Sequence, residues 1–149
     1  MVVKGNFLAG LKDPGGLVLA TTNGVVKQDG SLVIGAGAAK ALAERFPELP
    51  RILGKRVNPG KPYGLIVVEL RGSRVGAFQT KYHWQDPANL ALIAYSTRML
   101  RAYLMAHPDL RAHLPFPGVG LGGLREDQVL PILERELRSV GERVFLYRL

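Results

Sequence analysis

The chain has 149 residues, 47% of them hydrophobic, and carries a net charge of +8 from 20 Lys plus Arg against 12 Asp plus Glu; it has no cysteine. That is the length of one domain with enough apolar content for a core, and the missing cysteine excludes disulfides, zinc–thiolate sites and cysteine nucleophiles. Its apolar runs are broken by Gly, Arg or Lys well short of the roughly 18 residues a membrane span needs, and the opening MVVKGNF lacks the apolar stretch of a secretory leader, so a cytoplasmic protein with no membrane partner is expected.

The positive balance favours polyanionic ligands, nucleic acid among them. His83, His107 and His113 are the only histidines, and no two have ligand spacing on one helix face. Neither a metal nor another cofactor is expected.

In chain order, Val2–Val3 and Phe7–Leu8 flank Gly5 and predict a short edge strand, and Pro14 with two glycines predicts a turn. Leu17–Thr22 is apolar and β-branched, the pattern of a buried strand broken by Asn23–Gly24. Val25–Gly30 reads as a polar loop, and Leu32–Ile34 as an apolar strand leading into Gly35-Ala36-Gly37. Ala38–Phe46 has helical spacing and is ended by Pro47 and Pro50. Arg51–Pro62 reads as a basic connector. Tyr63–Leu70 and Val75–Gln79 predict two strands joined at Arg71–Arg74. Pro87 opens a helix through about Ala106, with Leu90, Ile93, Met99 and Leu100 as core positions. Leu114–Phe116 predicts a strand, Asp127–Val140 a helix and Val144–Tyr147 a last strand. The alternation predicts one α/β domain over 1–149, with helices on both faces of a mixed, largely parallel sheet.

Two glycine loops stand out. Gly35-Ala36-Gly37-Ala38-Ala39 precedes one predicted helix, and Gly118-Val119-Gly120-Leu121-Gly122-Gly123-Leu124 precedes another. Glycine lets the backbone approach a ligand closely, and a helix N-terminus offers free N–H groups and the positive end of a dipole. Two such loops at the carboxyl ends of strands can clamp a diphosphate. The second also matches G-x-G-x-x-G, but only about 26 residues follow it, too few for the further βα units of a dinucleotide-binding domain.

These loops resemble those of the macrodomain family: G-x-G-[IV]-A for the first, and G-C-G-L-G-G-L, the phosphate loop, for the second. Lys4-Gly5-Asn6-Phe7-Leu8 resembles the family's opening K-G-[DN]-[IL], and Asn23 the last Asn of its N-x-x-N segment. Phe78-Gln79-Thr80-Lys81-Tyr82-His83-Trp84 is similar to the F-P-T-K-x-H-W segment of DarG-type antitoxin macrodomains, and is related to the T-K of the human terminal ADP-ribose glycohydrolase. The resemblance implies a three-layer α/β/α fold and an ADP-ribose ligand. It also implies an ADP-ribosyl hydrolase acting on thymidine in single-stranded DNA, with a cognate ADP-ribosyltransferase encoded separately. Three places depart from the patterns. Ala20 stands where the family has its first Asn, the loop Val25–Ser31 is longer than in DarG, and Gly122 replaces the terminal glycohydrolase's catalytic Asp.

The resemblance makes Lys81 the catalytic group, attracting the substrate's charge or attacking or polarising the anomeric carbon. It implies ligand contacts from Gly35, Gly37, Ala38, Gly118, Val119, Gly120, Leu121 and Gly122. Asn6 would accept from the adenine amino group, Asn23 would contact the distal ribose, and Tyr147 would stack on adenine. His83 and Trp84 are candidates for stacking on a base of the nucleic acid. Lys55, Arg56, Lys61, Arg71 and Arg74 are candidates for a phosphate-tracking surface. Three other readings stay open: a non-catalytic ADP-ribose-binding module, a hydrolase of ADP-ribosylated protein, and an unrelated basic nucleic-acid-binding domain.

Overall fold

The computed structural model describes residues 1–148. Six strands form one sheet: β1 (Val2–Lys4), β2 (Gly16–Thr22), β3 (Leu65–Leu70), β4 (Ser73–Gln79), β5 (Arg111–Pro115) and β6 (Val144–Arg148), in the order β1-β6-β5-β2-β4-β3. All neighbours run parallel except β3 and β4, an antiparallel hairpin turning at Arg71 and Gly72.

Four α-helices, α1 (Gly37–Arg45), α2 (Leu49–Gly54), α3 (Leu90–Ala106) and α4 (Glu126–Glu136), cover the two faces. Strand β2 shows why both must be covered. Leu17 and Leu19 point into a core with Ile93 and Leu100 of α3 and Val129 and Leu133 of α4. Val18 and Ala20 point into a second core with Leu42 of α1 and Leu49 and Leu53 of α2. A strand buried on both faces reads as a continuous apolar run, which is what Leu17–Ala20 is. Among the described residues no helix is long and apolar enough to cross a membrane.

Four sequence expectations are corrected. Phe7–Leu8 is not strand: Phe7–Lys12 forms a 3-10 turn capped by Asn6, whose side chain accepts from Leu8 N–H, and Phe7 drops into the second core. Leu32–Ile34 is no sheet strand, since Leu32 makes only an isolated bridge to Val26 and bonds through its N–H to Pro50 O (2.9 Å). The connector Arg51–Pro62 begins inside α2, because Pro50 sits in the first helical turn, where its missing N–H costs nothing. Helix α3 starts at Leu90 rather than Pro87, because Asn89 caps it by accepting from Leu92 N–H (3.0 Å). Of its expected core positions, Ile93 and Leu100 are fully buried, while Leu90 and Met99 are half-buried.

Candidate functional site

Parallel strands deliver their carboxyl ends to one edge of the sheet, where loops gather into a crevice. Here the ends of β2, β4 and β5 open into a cleft of about 430 Å³. One wall is the segment from Val33 to Ala39, and the other is Gly118 to Gly122. The floor is Thr21, Thr22 and Asn23, and Thr80, Lys81 and Trp84 close one side.

The first loop ends in a bare helix N-terminus. No side chain caps α1 at Ala36, so the first N–H groups of the helix carry their dipole end into the cleft. The second loop does not do the same, against expectation. A 3-10 turn (Gly120–Gly122) follows, closed by Gly123 N–H to Gly120 O (3.0 Å) and Leu124 N–H to Gly118 O (2.9 Å). Helix α4 begins only at Glu126, behind Arg125, with Glu126 and Asp127 answering its own dipole. The second wall therefore acts through its turned backbone. Gly118 has φ +78°, a conformation that strains any residue with a Cβ, and a Cβ there would also meet Ile93 Cδ1 at 2.8 Å, so glycine is favoured. The walls come close: a Cβ on Gly37 would stand 3.0 Å from Leu121 Cδ1.

Lys81 is the only charged side chain lining the cleft among the described residues; no carboxylate, imidazole or guanidinium accompanies it. Its ammonium donates to Leu121 O (3.2 Å) and Trp84 O (3.3 Å), joining the 80–84 segment to the second glycine wall. Trp84 is 50% exposed and stacks on His83, ring centroids 5.4 Å apart.

Gly35, Gly37, Ala38, Gly118, Val119, Leu121, Gly122, Asn23, Lys81 and Trp84 all line the cleft; Asn6, Gly120, His83 and Tyr147 do not. The Asn23 side chain is engaged in its own loop, accepting from Val25 N–H (2.9 Å) and donating to Val33 O (3.0 Å). Tyr147 lies beside Gly5, on the strand that pairs with β1. Its hydroxyl pairs with His113 Nδ1 (2.8 Å), His113 Nε2 pairs with Asp13 (2.9 Å), and Arg111 holds Asp13 through two further bonds. The hydrogen bond from Arg111 keeps the Asp13 carboxyl well below the usual carboxylate range. Burial, and then the Asp13 charge, push the Tyr147 hydroxyl up.

Ala20, at the position of the family's first Asn, faces the second core and is buried against the α1 side, while Thr21 takes the floor of the cleft. The long loop Val25–Ser31 is closed on itself by Lys27 N–H to Ser31 O (2.8 Å). The five basic candidates do not converge on the cleft. Arg71 and Arg74 lie at the amino end of β4, opposite its cleft end, and pair with Glu48 and Glu69.

The sequence motifs also missed a group of polar side chains below the cleft. Tyr63 donates to Asn23 O (2.5 Å), with Thr22 Oγ1 at 2.6 Å, and burial raises its phenol well above the ordinary value. Gln79 is fully buried beside it. Neither residue belongs to a glycine loop; Gln79 stands in the Phe78–Trp84 segment where the motif it resembles has proline, and no local signal marks Tyr63.

No family model and no curated protein matches the chain. Solved structures do. The macrodomain of Thermus aquaticus DarG aligns with a TM-score of 0.77 and 23% identity, over 99% of this chain and 97% of that one. The macrodomain of Mycobacterium tuberculosis DarG aligns at 0.71 and 27%, over 99% and 96%. Thermosipho africanus DarTG in complex with ADP-ribose aligns at 0.74 and 24%, over 98% of this chain and 40% of that one. With its mostly parallel six-stranded sheet, two covering helix layers and glycine-walled crevice, the chain has the macrodomain fold.

Proposed function

We propose that the cleft binds ADP-ribose and that the protein releases ADP-ribose from a modified target, thymidine in single-stranded DNA being the first to test. The observation that carries the reading is the pairing of a bare helix N-terminus and a turned glycine wall with one cation, Lys81, and no anionic group among the described cleft residues. A diphosphate matches that arrangement, because backbone N–H groups and a helix dipole favour negative charge without a formal counter-ion. The likeness to DarG macrodomains and to a DarTG structure holding ADP-ribose supports the ligand.

In hydrolysis, Lys81, the one charged side chain among the described cleft residues, acts on the anomeric carbon, as a nucleophile or by stabilising departing negative charge. It first has to exchange its carbonyl partners, Leu121 O and Trp84 O, for the substrate. Trp84, half-exposed at the mouth, is suited to stack against a base of the attached strand.

A second reading is a non-catalytic ADP-ribose reader, favoured by the absence of any carboxylate or imidazole among the described cleft-lining groups. One experiment separates the two: wild type and Lys81→Ala incubated with thymidine-ADP-ribosylated single-stranded DNA, with release of ADP-ribose as the readout and calorimetric ADP-ribose binding as control. Release by wild type and binding without release by the variant support the hydrolase. Binding by both with no release leaves the reader. No binding by wild type ends both readings.

A further inference from the structure

Gln79 ends β4, and its side chain is entirely buried. A buried amide must find partners for its oxygen and nitrogen, because an unmet polar group away from water is costly. Gln79 finds them on two sides. Its Oε1 accepts from Tyr63 N–H (2.9 Å) and Gly64 N–H (3.1 Å), at the start of the β3–β4 hairpin. Its Nε2 donates to the carbonyl of Lys81 (3.1 Å), whose side chain is the cleft's only charge among the described residues. The fit is close on the far side too, since a Cβ on Gly24 would stand 3.0 Å from Nε2.

Around this contact the backbone of the 80–82 segment is stitched to the end of β2. Thr80 N–H and Lys81 N–H donate to Thr22 O (2.9 and 3.3 Å), and Gly24 N–H to Tyr82 O (3.1 Å). Lys81 lies outside any helix or strand, so no regular ladder fixes its peptide. Among the described residues, the only side chain bonded to that peptide is Gln79. In the motif this segment resembles, the matching position is proline, which has no amide to give.

We propose that Gln79 is a positioning residue for Lys81: its amide fixes the Lys81 peptide, so that the ammonium is carried between Leu121 and Trp84 at the cleft. The proposal rests on the reading of the cleft as an ADP-ribose site whose cation is Lys81. Gln79 lines no part of the cleft, and its amide nitrogen reaches it through the Lys81 carbonyl.

Two variants of the full chain test it. Gln79→Met keeps the length and removes both functions of the amide. Gln79→Glu, the fallback should the first fail to fold, keeps an acceptor for Tyr63 and Gly64 and, when ionised, has nothing to donate to Lys81. The first readout needs no ligand: hydrogen exchange of the amides of 80–84 against those of β3 and β4. We expect exchange at 80–84 to quicken about tenfold in either variant while the strands stay protected. Unchanged exchange at 80–84 overturns the proposal.

The second readout is ADP-ribose affinity in a double-mutant cycle with Lys81→Ala. The Gln79 variant is expected to weaken binding by about three- to tenfold in the wild-type background and to have no effect in the Lys81→Ala background. An equal loss in both backgrounds marks a merely structural residue and overturns the proposal. Failure of wild type to bind ADP-ribose sinks the reading of the cleft, while the exchange readout still decides whether Gln79 holds Lys81.

Discussion

The ammonium of Lys81 donates to the carbonyl of Leu121, 3.2 Å away and 40 residues on in the chain. This bond joins the segment after β4 to the glycine wall after β5. A cation satisfied by two neutral carbonyls is available to a phosphate, because exchanging a neutral acceptor for a charged one strengthens the bond.

Lys81→Ala is expected to slow release of ADP-ribose by about 10²-fold or more, the scale of removing one group that stabilises developing charge, while free ADP-ribose still binds, weakened by at least about the three- to tenfold expected of the Gln79 variants. The measurement is a rate of release beside a calorimetric titration. A variant that keeps the wild-type rate shows that the cleft's chemistry lies elsewhere.

Trp84 is the single tryptophan of the chain and lines the cleft. Its fluorescence should therefore change on titration with ADP-ribose. Trp84→Ala should weaken binding of ADP-ribosylated single-stranded DNA by about 5- to 100-fold, the range of one base–aromatic stack, with a smaller effect on free ADP-ribose. Equal losses for both ligands would assign Trp84 to the walls of the cleft and remove it from nucleic-acid recognition.

Gly118→Ala puts a methyl group 2.8 Å from Ile93 Cδ1 on a backbone with φ +78°. The left-handed conformation alone costs an L-residue about 1–2 kcal/mol, so thermal unfolding should fall by several degrees. ADP-ribose affinity should fall with it, as the second wall shifts. An unchanged midpoint would mean that the loop relaxes without cost.

Asp13 carries the pH prediction. Its bond from Arg111 holds the folded-state carboxyl well below the roughly 3.9 of an unfolded aspartate. A depressed folded value makes the contribution fully present above the unfolded value, and it is lost as pH falls through the folded one. Asp13→Asn should thus be less stable than wild type near neutral pH, with the gap closing progressively below about pH 4. Denaturant midpoints from pH 7 to pH 2 check this. A gap that stays constant with pH assigns the loss to packing around His113 rather than to the charge.

Much of the fold was legible in the sequence because its signals are local. Leu17–Thr22, Val144–Tyr147 and the Tyr63–Gln79 hairpin announce themselves by apolar and β-branched runs bounded by turn residues, and the structure has strands there. The two glycine loops were legible for the same reason, and the tertiary structure brings both to one cleft with Lys81 and Trp84. Phe7–Leu8 and Leu32–Ile34 misled because an apolar pair or triplet is equally content under a sheet as in it. Phe7 and Leu32 are buried against the second core without joining a ladder.

What the sequence determined by itself is the six strands of the sheet, the helices α1, α3 and α4, and the residue types offered at the cleft: glycines where the backbone turns, and one lysine after a strand. What only the tertiary structure decided is which polar groups meet. Asp13 finds Arg111 and His113 across 98 and 100 residues, Tyr63 reaches Asn23 across 40, and Gln79 turns its amide back to Lys81 from inside the core. A buried hydrogen bond depends on the position of both partners to within a few tenths of an ångström. Only the packing of the whole sheet against its helices sets such positions.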